Sequence, residues 1–255
     1  IYKELYWMIN DLDKKVIFIT GSSSGIGFGL AKNFLEIGYD VIICSKNLKK
    51  LKKASKLLND CFYVQADLSN EKSTKKAILK LKTKFKKIDF LICNYGNSDF
   101  KKNNLDFDFS FKNNFFSTVN TVNYCTPILK NNVGRIVCIS SICGTELIPG
   151  APIGYSVAKS ALINYVKSIS FVLSKKQISI NSIAPGNIYF KGSTWEKKMK
   201  ENKRKVKKLI NDSVPMKRFG SIEEIFDLCL FLCSKKNFST GATFILDGGQ
   251  TKSFN

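Results

Sequence analysis

Val16-Ile17-Phe18-Ile19-Thr20-Gly21-Ser22-Ser23-Ser24-Gly25-Ile26-Gly27 decides the fold of this 255-residue chain. Val16–Thr20 is a short apolar run, as expected of a strand buried on both faces. Gly21, Gly25 and Gly27 follow where that strand feeds a helix predicted to run to about Ile37. Glycine lets a backbone approach a pyrophosphate and lets the helix pack close to the strand. The helix N-terminus adds free N–H groups and a positive dipole end. The spacing is G-x-x-x-G-x-G rather than G-x-G-x-x-G. A tight βα turn without a ligand would use glycine too; the position directly after the first strand favours a nucleotide cradle.

Outward from that turn, short apolar runs alternate with longer amphipathic segments. Strands are predicted at Val41–Ser45, Phe62–Gln65, Ile88–Cys93, Arg135–Ser140, Ile178–Ala184 and Ala242–Leu246. Helical spacing covers Lys49–Asn59, with Leu51, Ala54, Leu57 and Leu58 inward, and Ser69–Lys86, with Ala77, Ile78 and Leu81 inward. Further helices are predicted over Phe107–Leu129, Ile153–Leu173 and Ile222–Cys233. Strands alternating with helices pair in parallel through right-handed crossovers. The fold expected is a single α/β domain with a doubly wound, parallel, seven-stranded sheet of Rossmann type. It should occupy residues 8–255, beginning at Met8, with residues 1–7 an extension. The stretch 189–214 is long and polar for a connection, which is the mark of a lid.

The chain carries 41 basic and 20 acidic residues, a formal net charge of +21. The only arginines are Arg135, Arg204 and Arg218. Base readout and phosphate forks favour arginine, so a lysine-coated surface is expected rather than a specific nucleic-acid site. No apolar run reaches the roughly 20 residues that span a bilayer, and Ile1–Trp7 lacks a basic start with an apolar stretch behind it. The eight cysteines form no C-x-x-C pair and most sit inside apolar runs. Reduced thiols and a cytoplasmic location are therefore expected. With no histidine, His-dependent triads and His-ligated metals are excluded, and no metal is expected.

Tyr155 and Lys159 lie four residues apart, on one face of a helix. A neighbouring ammonium should favour the phenolate and lower the tyrosine pKa. Such a tyrosine can donate a proton to an alkoxide or take one from an alcohol. Ser141, just after the fifth strand, can hydrogen-bond the substrate oxygen beside it. At the end of the second strand stand Ser45-Lys46-Asn47, with no carboxylate. An acid there suits the ribose 2′-OH of NAD and a basic residue the 2′-phosphate of NADP. NADP(H) is therefore expected in preference to NAD(H).

These motifs together resemble the short-chain dehydrogenase/reductase family from about Met8 to Ser253. The resemblance rests on Thr20–Gly27, on Asp67-Leu68 at the adenine site and on the turn Asn94-Tyr95-Gly96. It continues through Asn114, Ser141, Tyr155-Ser156-Val157-Ala158-Lys159, Asn181–Ile188 with Pro185-Gly186, and Asp247-Gly248-Gly249. It implies hydride transfer between nicotinamide and a carbonyl/alcohol pair. Tyr155 would be the acid/base, Lys159 would hold the nicotinamide ribose and tune Tyr155, Ser141 would orient the carbonyl, and Asn114 would support a water-linked proton relay. The cofactor would be held by Gly21, Ser23, Ser24, Gly25, Ile26, Gly27, Ser45, Lys46, Asp67, Leu68, Asn94, Gly96, Tyr155, Lys159, Pro185, Gly186 and Ile188.

The general likeness is to 3-oxoacyl thioester reductases, with the substrate free or on a carrier. Sugar or polyol dehydrogenases share the motifs, and a non-catalytic cofactor-binding regulator is the alternative from another class. Family members assemble as homotetramers or homodimers, so the same is expected here. Three features depart from the pattern. Tyr95 replaces a small residue and could crowd the cofactor. Phe190 stands where many members have a threonine for the cofactor amide. Ser141 precedes Tyr155 by one residue more than the commonest spacing.

Overall fold

β1 (Val16–Thr20) is an interior strand of the sheet, with Ile17 and Ile19 facing one side and Phe18 the other, all without solvent exposure. Burying each such side chain contributes about 1.5–3 kcal/mol. The computed structural model describes residues 15–97, 105–130, 134–234 and 237–252. Residues 1–7, Met8 and Ser253, which bear on the expected extension and domain bounds, lie outside the described residues.

The remaining strands are β2 (Asp40–Ser45), β3 (Phe62–Gln65), β4 (Phe90–Cys93), β5 (Arg135–Ile139), β6 (Ser179–Pro185) and β7 (Thr243–Leu246). They form one seven-stranded sheet in the order β3-β2-β1-β4-β5-β6-β7. Every pair is parallel. The helices are α1 (Gly25–Glu36), α2 (Leu48–Leu57), α3 (Glu71–Phe85), α4 (Phe107–Phe111), α5 (Ser117–Cys125), α6 (Ile153–Ser174), α7 (Thr194–Glu201), α8 (Lys203–Ser213) and α9 (Ile222–Leu232). α1, α2 and α9 cover the face that carries Ile17, Ile43 and Val137. α3, α5 and α6 cover the face with Phe18, Ile42 and Ile136. Two covered faces explain why the strands read as unbroken apolar runs. Among the described residues, no helix is long and apolar enough to cross a membrane.

The order reverses between β1 and β4, the switch point beyond whose carboxyl ends doubly wound sheets bind ligands. Most boundaries fall within a residue or two of the expected ones, but three differences have physical causes. Leu57, expected inward, is 65% exposed; α2 ends there and Leu58 takes the core position. β4 begins at Phe90, because Ile88 leaves the sheet for an isolated bridge with Leu129. The expected helix over Phe107–Leu129 is interrupted by a π-helical turn, Lys112–Phe116, and tightens to a 3₁₀ turn at Thr126–Ile128. Asn113 Nδ2 donates to Phe109 O at 2.8 Å, Asn114 Nδ2 to Ser110 O at 3.1 Å, and Ser117 Oγ to Asn113 O at 2.7 Å. Side chains that occupy helix carbonyls in this way compete with the backbone ladder, and the π-helical turn lies where these three cluster.

Candidate active site

The glycine turn is locked by its neighbours across the sheet. Gly21 and Gly25 both have φ of +64°, a conformation that glycine adopts without strain. Ser22 Oγ donates to Ile19 O at 2.6 Å and accepts from Cys44 N at 2.9 Å. Thr20 Oγ1 accepts from Asn94 N at 2.9 Å and Tyr95 N at 3.0 Å. Asn94 Nδ2 donates to Thr20 O and Gly21 O, both at 3.1 Å. Thr20, Ser22 and Asn94 thus fix the cradle. Sequence reasoning quoted Thr20 and Ser22 within the motif without giving either a role, because Cys44, Asn94 and Tyr95, which they bind, are distant in sequence.

At the entrance to α1, Ser24 stands at the N-cap with no side-chain cap and the first turn carries no acid. Its N–H groups remain open to an anion. At the end of β2, Ser45 Oγ accepts from Ser23 Oγ at 2.9 Å, and Lys46 is exposed. At the end of β3, Asp67 Oδ1 accepts from Ser69 N at 3.0 Å and Ser69 Oγ at 2.6 Å. Burial pushes the Asp67 carboxyl up, but the Ser69 hydrogen bonds and the charge of Lys46 outweigh it and hold the group below its ordinary value. Leu68 is fully buried. An open helix N-terminus, a cation without a carboxylate at β2 and a held acid at β3 fit the diphosphate, 2′-phosphate and purine of a dinucleotide.

Asn114, Ser141, Tyr155 and Lys159 come together around Gly96 and the turn Ile142–Gly144. A methyl group at Gly96 would lie 2.8 Å from Asn114 Oδ1 and 3.5 Å from Lys159 Nζ. Gly144 packs against the α6 backbone at Lys159, where a Cβ would come within 2.6 Å. Ser141 caps the Ile142–Gly144 turn by accepting from Cys143 N at 3.2 Å, and its hydroxyl acts to lower the pKa of the Tyr155 phenol. Asn114 has no exposure; its amide accepts from Asn97 N at 3.0 Å and donates to Asn97 O at 2.9 Å.

One electrostatic expectation is corrected. Burial, followed by the Cys143 thiol, pushes the Tyr155 phenol above its ordinary value, and the Ser141 hydrogen bond only partly offsets this. Lys159 does not reverse the shift. Its Nζ lies 5.7 Å from the Tyr155 ring centroid and donates instead to Ile139 O at 2.9 Å. Burial pushes Lys159 down to about 8, against smaller upward effects from Cys138 and Cys143. Desolvation therefore dominates both groups.

Beyond β6 the chain packs against the end of β7. Gly186 N donates to Leu246 O at 2.9 Å, and a Cβ there would lie 2.9 Å from Asp247 Cα. Ile188 is buried and bridges to Gly220. Phe190 lies over the cradle: a Cβ on Gly25 would be 3.3 Å from its ring. Tyr95 directs its hydroxyl to Asp67 Oδ1 and Asn113 Oδ1, each at 3.3 Å, and its ring packs on the core beneath α3 and α5.

Residues 21–251 match the family profile described as enoyl-(acyl carrier protein) reductase. The chain is 32% identical to the 3-oxoacyl-[acyl-carrier-protein] reductase FabG of Rickettsia felis over 249 residues, covering 94% of this chain and 98% of the relative. It is 31% identical to the same-named reductase of Aquifex aeolicus, covering 93% and 98%. Its structure resembles L-sorbose reductase of Gluconobacter frateurii, solved with NADPH and L-sorbose, with a TM-score of 0.84 and 26% identity over 95% of this chain and 98% of that one. Strand order, cradle and matched profile lead to one assignment: the chain belongs to the short-chain dehydrogenase/reductase family, nicotinamide-dependent oxidoreductases of carbonyl and CH–OH groups.

Proposed function

We propose that the chain is an NADP(H)-dependent reductase that takes a 3-oxoacyl thioester, held on a carrier, to the 3-hydroxy thioester. The observation that carries this reading is that Asn114 and Lys159 meet at Gly96, that the Ser141-capped turn packs on α6 at Lys159, and that Tyr155 lies beside Lys159 on the same helix, with an uncapped helix N-terminus at the glycine turn. The relatives that cover 98% of their own length with this chain are named as reductases of that substrate. Lys46, without an acid at the end of β2, supports NADP(H).

When bound, nicotinamide supplies the hydride. Ser141 donates to the substrate oxygen and keeps it beside Tyr155. The raised pKa of Tyr155 keeps the phenol protonated at neutral pH, ready to protonate the oxygen as it gains charge. The Lys159 ammonium, whose pKa of about 8 leaves it charged at pH 7, offsets the phenolate that results. Asn114 spends its side chain on Asn97 and Ser110. Any part it plays in a proton relay falls to the backbone of the π-helical turn. Residues 189–214 form a lid, α7 and α8, that excludes water from the reacting atoms.

Assembly as a homodimer or homotetramer is also proposed, through a surface where Phe107, Phe116, Ile153 and Val157 are exposed. The location proposed is cytoplasmic. The L-sorbose reductase likeness supports the second reading, a keto-sugar substrate. An NADPH-oxidation screen over 3-oxoacyl thioesters, keto sugars and simple ketones separates the two, with NADH in parallel. Tyr155→Phe should lower turnover by about 10²–10⁴-fold and leave NADPH binding largely intact. Full turnover in that variant would exclude Tyr155 as the acid, and a strong NADH preference would exclude the Lys46 reading.

A further inference from the structure

Tyr95 departs from the family pattern, and its surroundings give it a use. The turn that carries it is held at three points. Asn94 binds the glycine turn, Asn97 is held by both ends of the Asn114 amide, and the Tyr95 ring packs on the core between them. The hydroxyl therefore has little freedom, and it faces two acceptors at 3.3 Å, Asp67 Oδ1 and Asn113 Oδ1. A phenol has one proton to donate. Asn113 Nδ2 is already committed to Phe109 O, which fixes the amide with its oxygen towards Tyr95.

Asp67 shows the other half of the arrangement. Ser69 N, Ser69 Oγ and Tyr95 all meet Oδ1. Oδ2 meets no hydrogen-bond donor among the described residues. Three donors on one oxygen orient the carboxylate and leave its second oxygen to accept from a ligand. Under the nucleotide reading above, on which this inference rests, that donor is the exocyclic amine of the purine.

We propose that Tyr95 is the positioning residue that aims Asp67 at a 6-aminopurine, so that it sets the selectivity of the nucleotide site for adenine over a 6-oxopurine. Asn113 competes for the same phenolic proton and weakens that hold.

The test compares dissociation constants of NADPH and its deaminated analogue, reduced nicotinamide hypoxanthine dinucleotide phosphate. Nucleotide fluorescence on the full chain reads both, with steady-state kinetics alongside. The wild type should prefer NADPH. Tyr95→Phe keeps the ring and removes the proton, and should lower NADPH affinity about tenfold with little change for the analogue and in kcat. Asn113→Ala leaves Tyr95 in place and frees its proton for Asp67, so it should raise the preference for NADPH. In an Asp67→Asn background, Tyr95→Phe should have no further effect on the ratio of the two constants. Equal loss for both nucleotides in Tyr95→Phe, or an unchanged ratio in it, would overturn the proposal, as would an unchanged ratio in Asn113→Ala. A wild type that binds both nucleotides equally removes the selectivity while leaving the nucleotide site standing. A wild type that binds neither removes that site and the inference with it.

Discussion

The floor of the site and the segment above it are held by opposite means. Beneath, Thr20, Ser22, Asn94 and Asn114 are tied by hydrogen bonds between strands and turns, and three of the four are almost fully buried. Above, α7 buries no residue and α8 buries only Val206 and Ile210, with Trp195 resting on Phe219 at a centroid distance of 5.4 Å. Polar networks of this kind are rigid when fully satisfied. A segment with few apolar anchors opens locally at low cost. The floor is thus organised before a ligand arrives, and α7 and α8, proposed above as a lid, are free to respond to one.

The largest effect should come from the floor. A Cβ at Gly27 would meet Asn94 Nδ2 and lie 2.7 Å from Gly21 O. Gly27→Ala should cost about 1–3 kcal/mol, read as a lower midpoint in denaturant, and should weaken nucleotide binding as well. A variant with wild-type stability would break the claim that the floor is tightly fixed. A smaller and more local effect is expected above. Val206→Ala with Ile210→Ala should speed tryptic cleavage within the lysine-rich 196–208 stretch and raise the substrate KM, with the global midpoint nearly unchanged. A large fall in that midpoint would show that α7, α8 and the floor unfold as one unit.

The gentlest probe is alkaline pH. Burial raises Cys44 and Cys233 to about 12 and Cys61 to about 11, from an ordinary 9.0. It also raises Tyr39, Tyr95, Tyr155 and Tyr165. Above pH 9 the unfolded chain loses these protons first, so their contribution to stability is whole below that pH and is lost towards pH 12. Lys159 acts in reverse. Pushed down to about 8 from 10.5, it destabilises the fold below pH 8, and the cost is relieved as pH rises to 10.5. One lysine against several thiols and phenols leaves the net slope downward, so the melting temperature should fall from pH 9 upward. A flat profile to pH 11 would refute the burial of these groups.

Much of the scaffold was legible because it depends on period and order. Apolar runs separated by amphipathic segments specify parallel strands with helical crossovers, and Tyr155 and Lys159 needed only helical spacing to share a face. What could not be read depends on partners distant in sequence. The π-helical turn at Lys112–Phe116 coincides with side chains that bind carbonyls one turn back, which hydrophobic periodicity does not register. Leu57 and Leu58 differ only in where α2 stops. The Tyr155 shift was misjudged because the burial of its phenol, and the preference of Lys159 for Ile139 O, depend on how α6 packs over the end of β5.

The strand order has a consequence for synthesis. β2 pairs with β1 after a short excursion, but the donors that fix the glycine turn, Asn94 and Tyr95, lie 74 and 75 residues beyond Thr20. Closing so long a loop costs entropy that only the completed parallel pairing repays. On the ribosome, the most recognisable motif of the chain therefore emerges well ahead of β4 and completes its shape only once β4 has left the exit tunnel.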